Sequence, residues 1–333
     1  MKAIYLCEHE GNVFRVFSSE TLKALIELAG AAPTVYSKAA VLENPDAFAK
    51  TEYIFSTWGM PAFSEKEIRQ CFPKLKAIFY AAGTVQNFAR PFLKEGIKVF
   101  SAWKANAVPV AEYTVSQILL ANKGFFASSR IMKAGDRETA LQIFSQYRGN
   151  YGERVGLIGV GTIGSLVAQM LREYRLEILA FDPFLSSVRA KELGVRLCSL
   201  AELFSSCSVI SNHLANNTET QEMLDGKLFS SMRPYATFLN TGRGAQVKES
   251  ELVQVLQERE DLTAVLDVTN PEPPIKGHPF YTLPNCILTP HIAGSARDEV
   301  HRMAEYMLEE FERHIKGEDS RYEVSEVMLK TMA

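Results

Sequence analysis

Three short segments of this 333-residue chain carry side chains suited to acid–base and anion chemistry. Phe238-Leu-Asn-Thr-Gly242-Arg243-Gly244 sets an arginine between two glycines directly after an apolar run. Leu266-Asp267-Val-Thr-Asn-Pro-Glu272-Pro sets two acids on a proline-rich loop, and Leu288-Thr-Pro290-His291-Ile-Ala-Gly294 sets a histidine behind a proline. Taken singly, Arg243 could be a solvated loop residue, Glu272 a surface acid and His291 an interior histidine with satisfied nitrogens. Together they supply one chemistry. A 2-keto acid needs a cation for its carboxylate, and arginine offers a planar two-point clamp. Hydride arriving at the carbonyl carbon leaves an alkoxide that needs a proton, and histidine donates one near neutral pH. A carboxylate beside the ring would hold it and favour the imidazolium. Asp267, nearer the preceding apolar run, could orient a nicotinamide carboxamide.

A second constellation lies upstream. Arg154-Val-Gly-Leu-Ile-Gly159-Val-Gly161-Thr162-Ile163-Gly164 is an apolar run entering G-x-G-x-x-G and then a helical stretch. Gly159 permits the tight turn, Gly161 lets the backbone approach a pyrophosphate, and Gly164 lets the helix pack close to the strand. The bare pattern is weak. Its context strengthens it, because the next strand, Leu176–Asp182, ends in an acid 18 residues past Gly164. An acid there hydrogen-bonds a ribose 2′-hydroxyl and repels a 2′-phosphate, which favours NAD over NADP. Asp182-Pro183 is also ordinary strand-end turn chemistry.

These residues need elements to position them. Short, continuous apolar runs read as strands buried on both faces of parallel sheets. A first set is Ala3–Cys7, Thr34–Ser37, Tyr53–Ser56, Ala77–Ala81 and Lys98–Ser101. A second is Val155–Gly159, Glu177–Phe181, Ser208–Ser211, Thr237–Asn240, Ala264–Val268 and Ile287–Thr289. Helical spacers between them give an α/β chain with βαβ crossovers. The expected organisation is two doubly wound parallel-sheet domains. Residues 1–102, completed by 295–333, form one, and residues 103–294 form the dinucleotide-binding other. Glu112–Asn150 starts as an apolar helix and runs into a charged, turn-prone region around Lys133–Glu138. Ser295-Ala-Arg-Asp298 reads as a capping box. Val300, Met303, Met307, Phe311 and Ile315 then fall at helical spacing, with Gly317 as a stop.

Composition sets outer bounds. Hydrophobic residues make up 47% and charged residues 23%, which excludes a disordered chain. Thirty-six basic against 39 acidic residues leave a net charge of −3, which argues against a nucleic-acid or anionic-membrane surface. Cys7, Cys71, Cys198, Cys207 and Cys286 are scattered, odd in number and without CxxC spacing; they read as buried thiols in a reducing compartment. No apolar run approaches a membrane span and no signal-like stretch opens the chain, so a cytoplasmic location is expected. No His/Cys cluster has metal-ligand spacing, so no metal is expected. His278, His301 and His314 show no partner pattern.

In motif order and spacing the chain resembles the D-isomer-specific 2-hydroxyacid dehydrogenases, which include phosphoglycerate dehydrogenase and glyoxylate/hydroxypyruvate reductase. The resemblance runs through Leu75–Gly83, Asn106–Glu112, the glycine turn with Asp182, Asn240–Gly244, Leu266–Val268 with Glu272, and Thr289–Gly294. It implies that Arg243, Glu272 and His291 form the catalytic set. It implies a cofactor surface of Gly159, Gly161, Thr162, Ile163, Gly164, Asp182, His213, Thr241, Asp267 and His291. It places Ala82, Gly83 and Thr84 on a substrate-carboxylate loop whose backbone N–H groups bind alongside Arg243. It also implies a Rossmann domain inserted in a flavodoxin-like substrate domain, and a homodimer. Departures occur at Ala82 and Gln86, where relatives carry an Arg-like residue and an acid, and this weakens the case for a phosphorylated substrate. His213-Leu214-Ala215 lacks the proline usual after His-Leu. Trp58-Gly59-Met60-Pro61 could shape the substrate pocket or pack in the core. The expected activity is NAD-dependent interconversion of a small 2-keto acid and its D-2-hydroxy acid. The same fold serves corepressors of the C-terminal-binding-protein type, which sense dinucleotides as binding modules. A formate dehydrogenase relative is a third reading, against which Glu272 beside His291 speaks.

Overall fold

The computed structural model describes residues 2–330; Met1 and positions 331–333, at the outer ends of the expected first domain, lie outside the described residues. Apolar runs with no polar face have nowhere to go except between two helical layers, and that is where the strands sit. Sheet one contains β1 (Ala3–Leu6), β2 (Val35–Tyr36), β3 (Tyr53–Ser56), β4 (Ala77–Tyr80) and β5 (Lys98–Ser101). Sheet two contains β6 (Tyr151–Ile158), β7 (Arg175–Phe181), β8 (Val195–Leu197), β9 (Val209–Asn212), β10 (Thr237–Asn240), β11 (Thr263–Leu266) and β12 (Cys286–Leu288). Every pairing between these strands is parallel, and an isolated antiparallel bridge joins Phe100 of β5 to Glu323.

Sheet one is ordered β2-β1-β3-β4-β5 and sheet two β12-β11-β10-β9-β6-β7-β8. The first is the flavodoxin-like order. The second is the Rossmann order, with its switch point at β6, between β7 and β9. The chain divides into two compact units: residues up to Asn106 with those from Ser295 onward, and Ala107–Gly294.

In the first unit the aromatic faces of β3 and β4 need a cover, and the helix His301–Lys316 supplies it. Phe311 is fully buried, with its ring centroid 5.2 Å from those of Tyr53, Phe55 and Phe79. Val300, Met303 and Met307 are buried on the same stripe, and Gly317 ends the helix at φ 69°. The expected Ser295/Asp298 capping box does not form. Ser295 Oγ instead hydrogen-bonds Asn106 Oδ1 at 3.0 Å, and Glu299 reaches back to the Ala296 N–H at 2.8 Å. A 3-10 turn, Arg297–Val300, therefore precedes the α-helix.

Two further expectations need correction. The helix expected to start near Glu112 spans Trp103–Asn122, because Pro109 is tolerated inside it; helices Phe125–Lys133 and Arg137–Phe144 follow. Cys7, Cys71 and Cys207 are buried, but Cys198 and Cys286 are only half-buried, being at or beside the outer strands β8 and β12; all five thiols are free. Among the described residues no helix is long and apolar enough to cross a membrane.

Candidate active site

The glycine turn leaves β6 and enters the helix Thr162–Leu171. Gly159 has φ 84°, and a Cβ there would stand 2.8 Å from the His213 carbonyl oxygen, so both backbone conformation and space require glycine. A Cβ on Gly164 would stand 2.2 Å from the Gly159 carbonyl oxygen, while one on Gly161 would meet nothing within 4 Å. The turn is thus tight where it must fold and open where a ligand must approach. Thr162 is exposed at the helix start and Ile163 half-buried behind it.

Asp182 follows β7. Its Oδ2 accepts from Val160 N at 2.7 Å, inside the glycine turn, and its Oδ1 accepts from Phe184 N at 2.9 Å. Each oxygen retains a lone pair for a hydroxyl. His213 follows β9, its N–H donating to the Ile158 carbonyl at 2.7 Å. Ser211 Oγ lies 2.9 Å from its Nε2, whereas Nδ1 is buried without a partner among the described residues. Burial holds the imidazole neutral, with its pKa pushed down to about 4. The open Gly161 and the helix N-terminus follow β6, with Asp182 beyond β7 on one flank and the unsatisfied His213 nitrogen beyond β9 on the other. These residues fit a dinucleotide.

Arg243, Asp267 and His291 lie just beyond the ends of β10, β11 and β12, which are sheet neighbours in register Asn240–Leu266 and Leu266–Leu288. The Arg243 turn is held by buried amides. Asn212 Nδ2 donates to Asn240 Oδ1 at 3.0 Å and to Gln246 Oε1 at 2.6 Å. Gln246 Nε2 donates to the Leu214 carbonyl at 2.7 Å, and Arg243 N donates to Gln246 Oε1 at 3.2 Å. The half-buried Arg243 guanidinium donates to the Gly242 carbonyl at 2.7 Å. Thr241 is buried, its hydroxyl 3.2 Å from that of Thr114 on the Trp103–Asn122 helix.

Asp267 builds the His291 turn. It is buried, and Oδ1 accepts from Thr289 Oγ1 at 2.6 Å and Ile292 N at 2.8 Å, while Oδ2 accepts from Ala293 N at 2.9 Å. Its backbone carbonyl accepts from His291 N at 3.1 Å. These bonds over-determine a left-handed histidine, φ 55°, and turn its ring outward. His291 Nδ1 is 2.6 Å from Glu272 Oε1, both side chains being partly exposed. Nε2 makes no hydrogen bond among the described residues. This is the ring–carboxylate pair expected from the residue types.

In the other unit, Ala82 and Gly83 follow β4. Their carbonyls accept from the Ser101 hydroxyl at 2.9 and 2.5 Å, which fixes the backbone while Thr84 stays exposed. Gln86 Nε2 donates to the Leu329 carbonyl at 2.7 Å. Trp58 follows β3, half-buried against the core, with the Arg15 guanidinium 5.7 Å from its ring centroid.

Asn212, Gln246 and Glu249 were not reached from sequence. The available signal was polar: Asn212 and Asn240 each end a strand that is otherwise largely apolar.

A family model described as "D-isomer specific 2-hydroxyacid dehydrogenase, NAD binding domain" matches residues 115–293. The chain is 30% identical over 254 residues to a D-3-phosphoglycerate dehydrogenase of Archaeoglobus fulgidus, covering 76% of this chain and 48% of that protein. The chain thus spans about half the length of that relative. Among solved structures, it is similar to the TT0316 protein of Thermus thermophilus, with 25% identity, TM-score 0.73 and coverage of 97% and 100% of the two chains. A phosphoglycerate oxidoreductase from Rhizobium etli shares the fold at TM-score 0.80 and 22% identity, with 98% and 99% covered.

Proposed function

We propose, on the premise that this chain belongs to the D-isomer specific 2-hydroxyacid dehydrogenase family, that it is an NAD-dependent oxidoreductase interconverting a small 2-keto acid and its D-2-hydroxy acid. The observation that carries the reading is the 2.6 Å pairing of His291 Nδ1 with Glu272 beyond the same sheet end as Arg243. NADH, when bound, supplies the hydride. Arg243 holds the substrate carboxylate and polarises the carbonyl, with backbone N–H groups of Ala82, Gly83 and Thr84 assisting. Glu272 fixes the ring through Nδ1, so His291 Nε2 gives its proton to the forming alkoxide and takes it back in the oxidative direction.

The cofactor is held by Gly159, Gly161, Thr162, Ile163, Gly164, Asp182, His213 and Thr241. Asp267 retains one acceptor position of its roughly four for a carboxamide. Asp182 makes NADH the preferred form by repelling a 2′-phosphate. Uncharged Ala82, and Gln86 bound to the Leu329 carbonyl, support an unphosphorylated substrate. Free thiols suit the cytoplasm. A second copy of this chain is the partner, seated on the Glu112–Asn150 helices.

The test is NADH and NADPH absorbance at 340 nm with glyoxylate, hydroxypyruvate, pyruvate, 2-ketoisocaproate, phenylpyruvate and 3-phosphohydroxypyruvate. Turnover of at least one unphosphorylated acid, faster with NADH, is expected. No turnover with any of the six, with NADH still bound, would overturn the activity and leave a dinucleotide-binding module. Equal kcat/KM with both cofactors would overturn the role of Asp182.

A further inference from the structure

Glu272 sits on a loop with little means of holding itself. Pro271, Pro273 and Pro274 have no N–H, and Thr269 Oγ1 donating to the Pro271 carbonyl at 2.9 Å is a contact internal to the loop. Two contacts tie the backbone on either side of Glu272: after it, the Tyr281 hydroxyl donates to the Pro274 carbonyl at 3.0 Å, and before it, the tie to the Arg243 segment is made by Asn270, two residues upstream of Glu272. Its N–H donates to Glu249 Oε1 at 2.8 Å. Glu249 is the first residue of the helix Glu249–Glu258, half-buried, on the segment that leaves the Arg243 turn through Gly244–Gln246. The two segments meet a second time. A Cβ on Gly244 would lie 2.0 Å from the Thr269 carbonyl carbon, so the backbones touch where Arg243 ends and the Glu272 loop begins.

We propose that Glu249 is a positioning residue, which fixes the Glu272 loop against the Arg243 turn and so sets the place from which Glu272 holds His291. The acceptor that matters is the Oε1 oxygen. Burial pushes the Glu249 carboxyl up to about 7, opposed by the Asn270 N–H, and the Cys286 thiol is the titratable group with which it interacts. Protonation on Oε2 leaves Oε1 free to accept, so an amide in the same place serves as well.

The inference rests on the dehydrogenase reading for its kinetic arm and on the protein alone for its exchange arm. Glu249→Ala removes the acceptor; Glu249→Gln keeps it. With the keto acid that the wild type turns over best, Glu249→Ala is expected to lose roughly ten- to a hundredfold in kcat, with KM for NADH within about twofold. Glu249→Gln is expected to stay within about threefold of wild type. Introduced into Glu272→Gln, the alanine change is expected to add little, because its effect runs through a carboxylate already gone. Amide hydrogen exchange over residues 267–275 of the unliganded protein is expected to quicken in Glu249→Ala and stay at the wild-type rate in Glu249→Gln. Unchanged exchange in the alanine variant, an equal loss in the glutamine variant, or full additivity with Glu272→Gln would each overturn the proposal. An inactive wild type would remove the dehydrogenase reading and leave the exchange comparison to decide the clamp.

Discussion

Replacing Arg243 by alanine takes away the only formal charge on the turn between β10 and the helix Glu249–Glu258 before Lys248. A charge-assisted pair to a substrate carboxylate stabilises the transition state by several kcal/mol, so kcat/KM for the best keto acid should fall about a hundredfold or more. NADH binding, followed by fluorescence, should persist, and near-normal turnover would remove Arg243 from the chemistry. His213 gives a prediction about stability instead. Its folded-state pKa is about 4, against about 6.5 in an unfolded chain. Below pH 6.5 the unfolded chain takes up a proton that the folded one refuses, so stability is present above that pH and is lost as pH falls toward 4. The loss attributable to this residue is about 2 kcal/mol by pH 5, with a ceiling of about 3 kcal/mol. In urea titrations at pH 7 and pH 5, His213→Asn should show a correspondingly smaller drop than the wild type; an equal drop would show that the ring is reached by water. Arg243 and His291 stand out in the sequence as reactive side chains just past strand ends, whereas Glu272, on the loop after β11, stands out only in combination with them and through the family motif; the three are proposed to act together. Gln246 and Glu249 do not stand out, since each acts through an atom on a segment distant in sequence. As the first residue of a helix, Glu249 reads as an ordinary acid favoured by the dipole.

At the scale of elements, the glycine turn separates folding from binding. Gly161→Ala places a methyl where nothing stands within 4 Å, while Gly164→Ala drives one into the Gly159 carbonyl oxygen at 2.2 Å. The first should keep the wild-type melting temperature and weaken NADH about tenfold or more; the second should lower the melting temperature by several degrees as well. Equal melting temperatures for the two variants would contradict the packing described. The helix His301–Lys316 is the other decisive element. Phe311→Ala deletes a ring packed on Tyr53, Phe55 and Phe79, and by large-to-small precedent should cost about 3–5 kcal/mol in denaturant unfolding. A cost under 1 kcal/mol would mean that the cover is loose. The stripe Val300 to Phe311 was readable because periodicity survives without knowing the partner. The start of that helix was not, because Ser295 spends its hydroxyl on Asn106, 189 positions away. Strand β8 was missed because Val195–Leu197 is three residues long with two exposed.

For the whole molecule, the surface of the Ala107–Gly294 unit makes the remaining prediction. Leu120, Phe125, Met132, Leu141 and Phe144 are 38–50% exposed on helices between Trp103 and Phe144. Exposed apolar side chains on consecutive helices support the proposed contact between two copies of the chain. Light scattering at micromolar concentration should give twice the 37.2 kDa chain mass, and Phe125→Glu with Leu141→Glu should return it to one; a monomeric wild type would refute the interface. Both parallel sheets could be anticipated because doubly buried strands are nearly continuous apolar runs, and a wholly parallel sheet needs a crossover for each.

The cover over β3 and β4 has a consequence for how the chain is made. Phe79 leaves the ribosome 232 residues before Phe311, and at ordinary rates of synthesis, roughly 5–20 residues per second, the wait is about 10–50 s. Throughout that time sheet one exists as a nascent surface with its aromatic face uncovered, while the Ala107–Gly294 segment emerges with all its own strands in hand. The insertion therefore acts as a delay line. The unit whose strands are made before the insertion is completed after it, when Phe311 and its helix emerge.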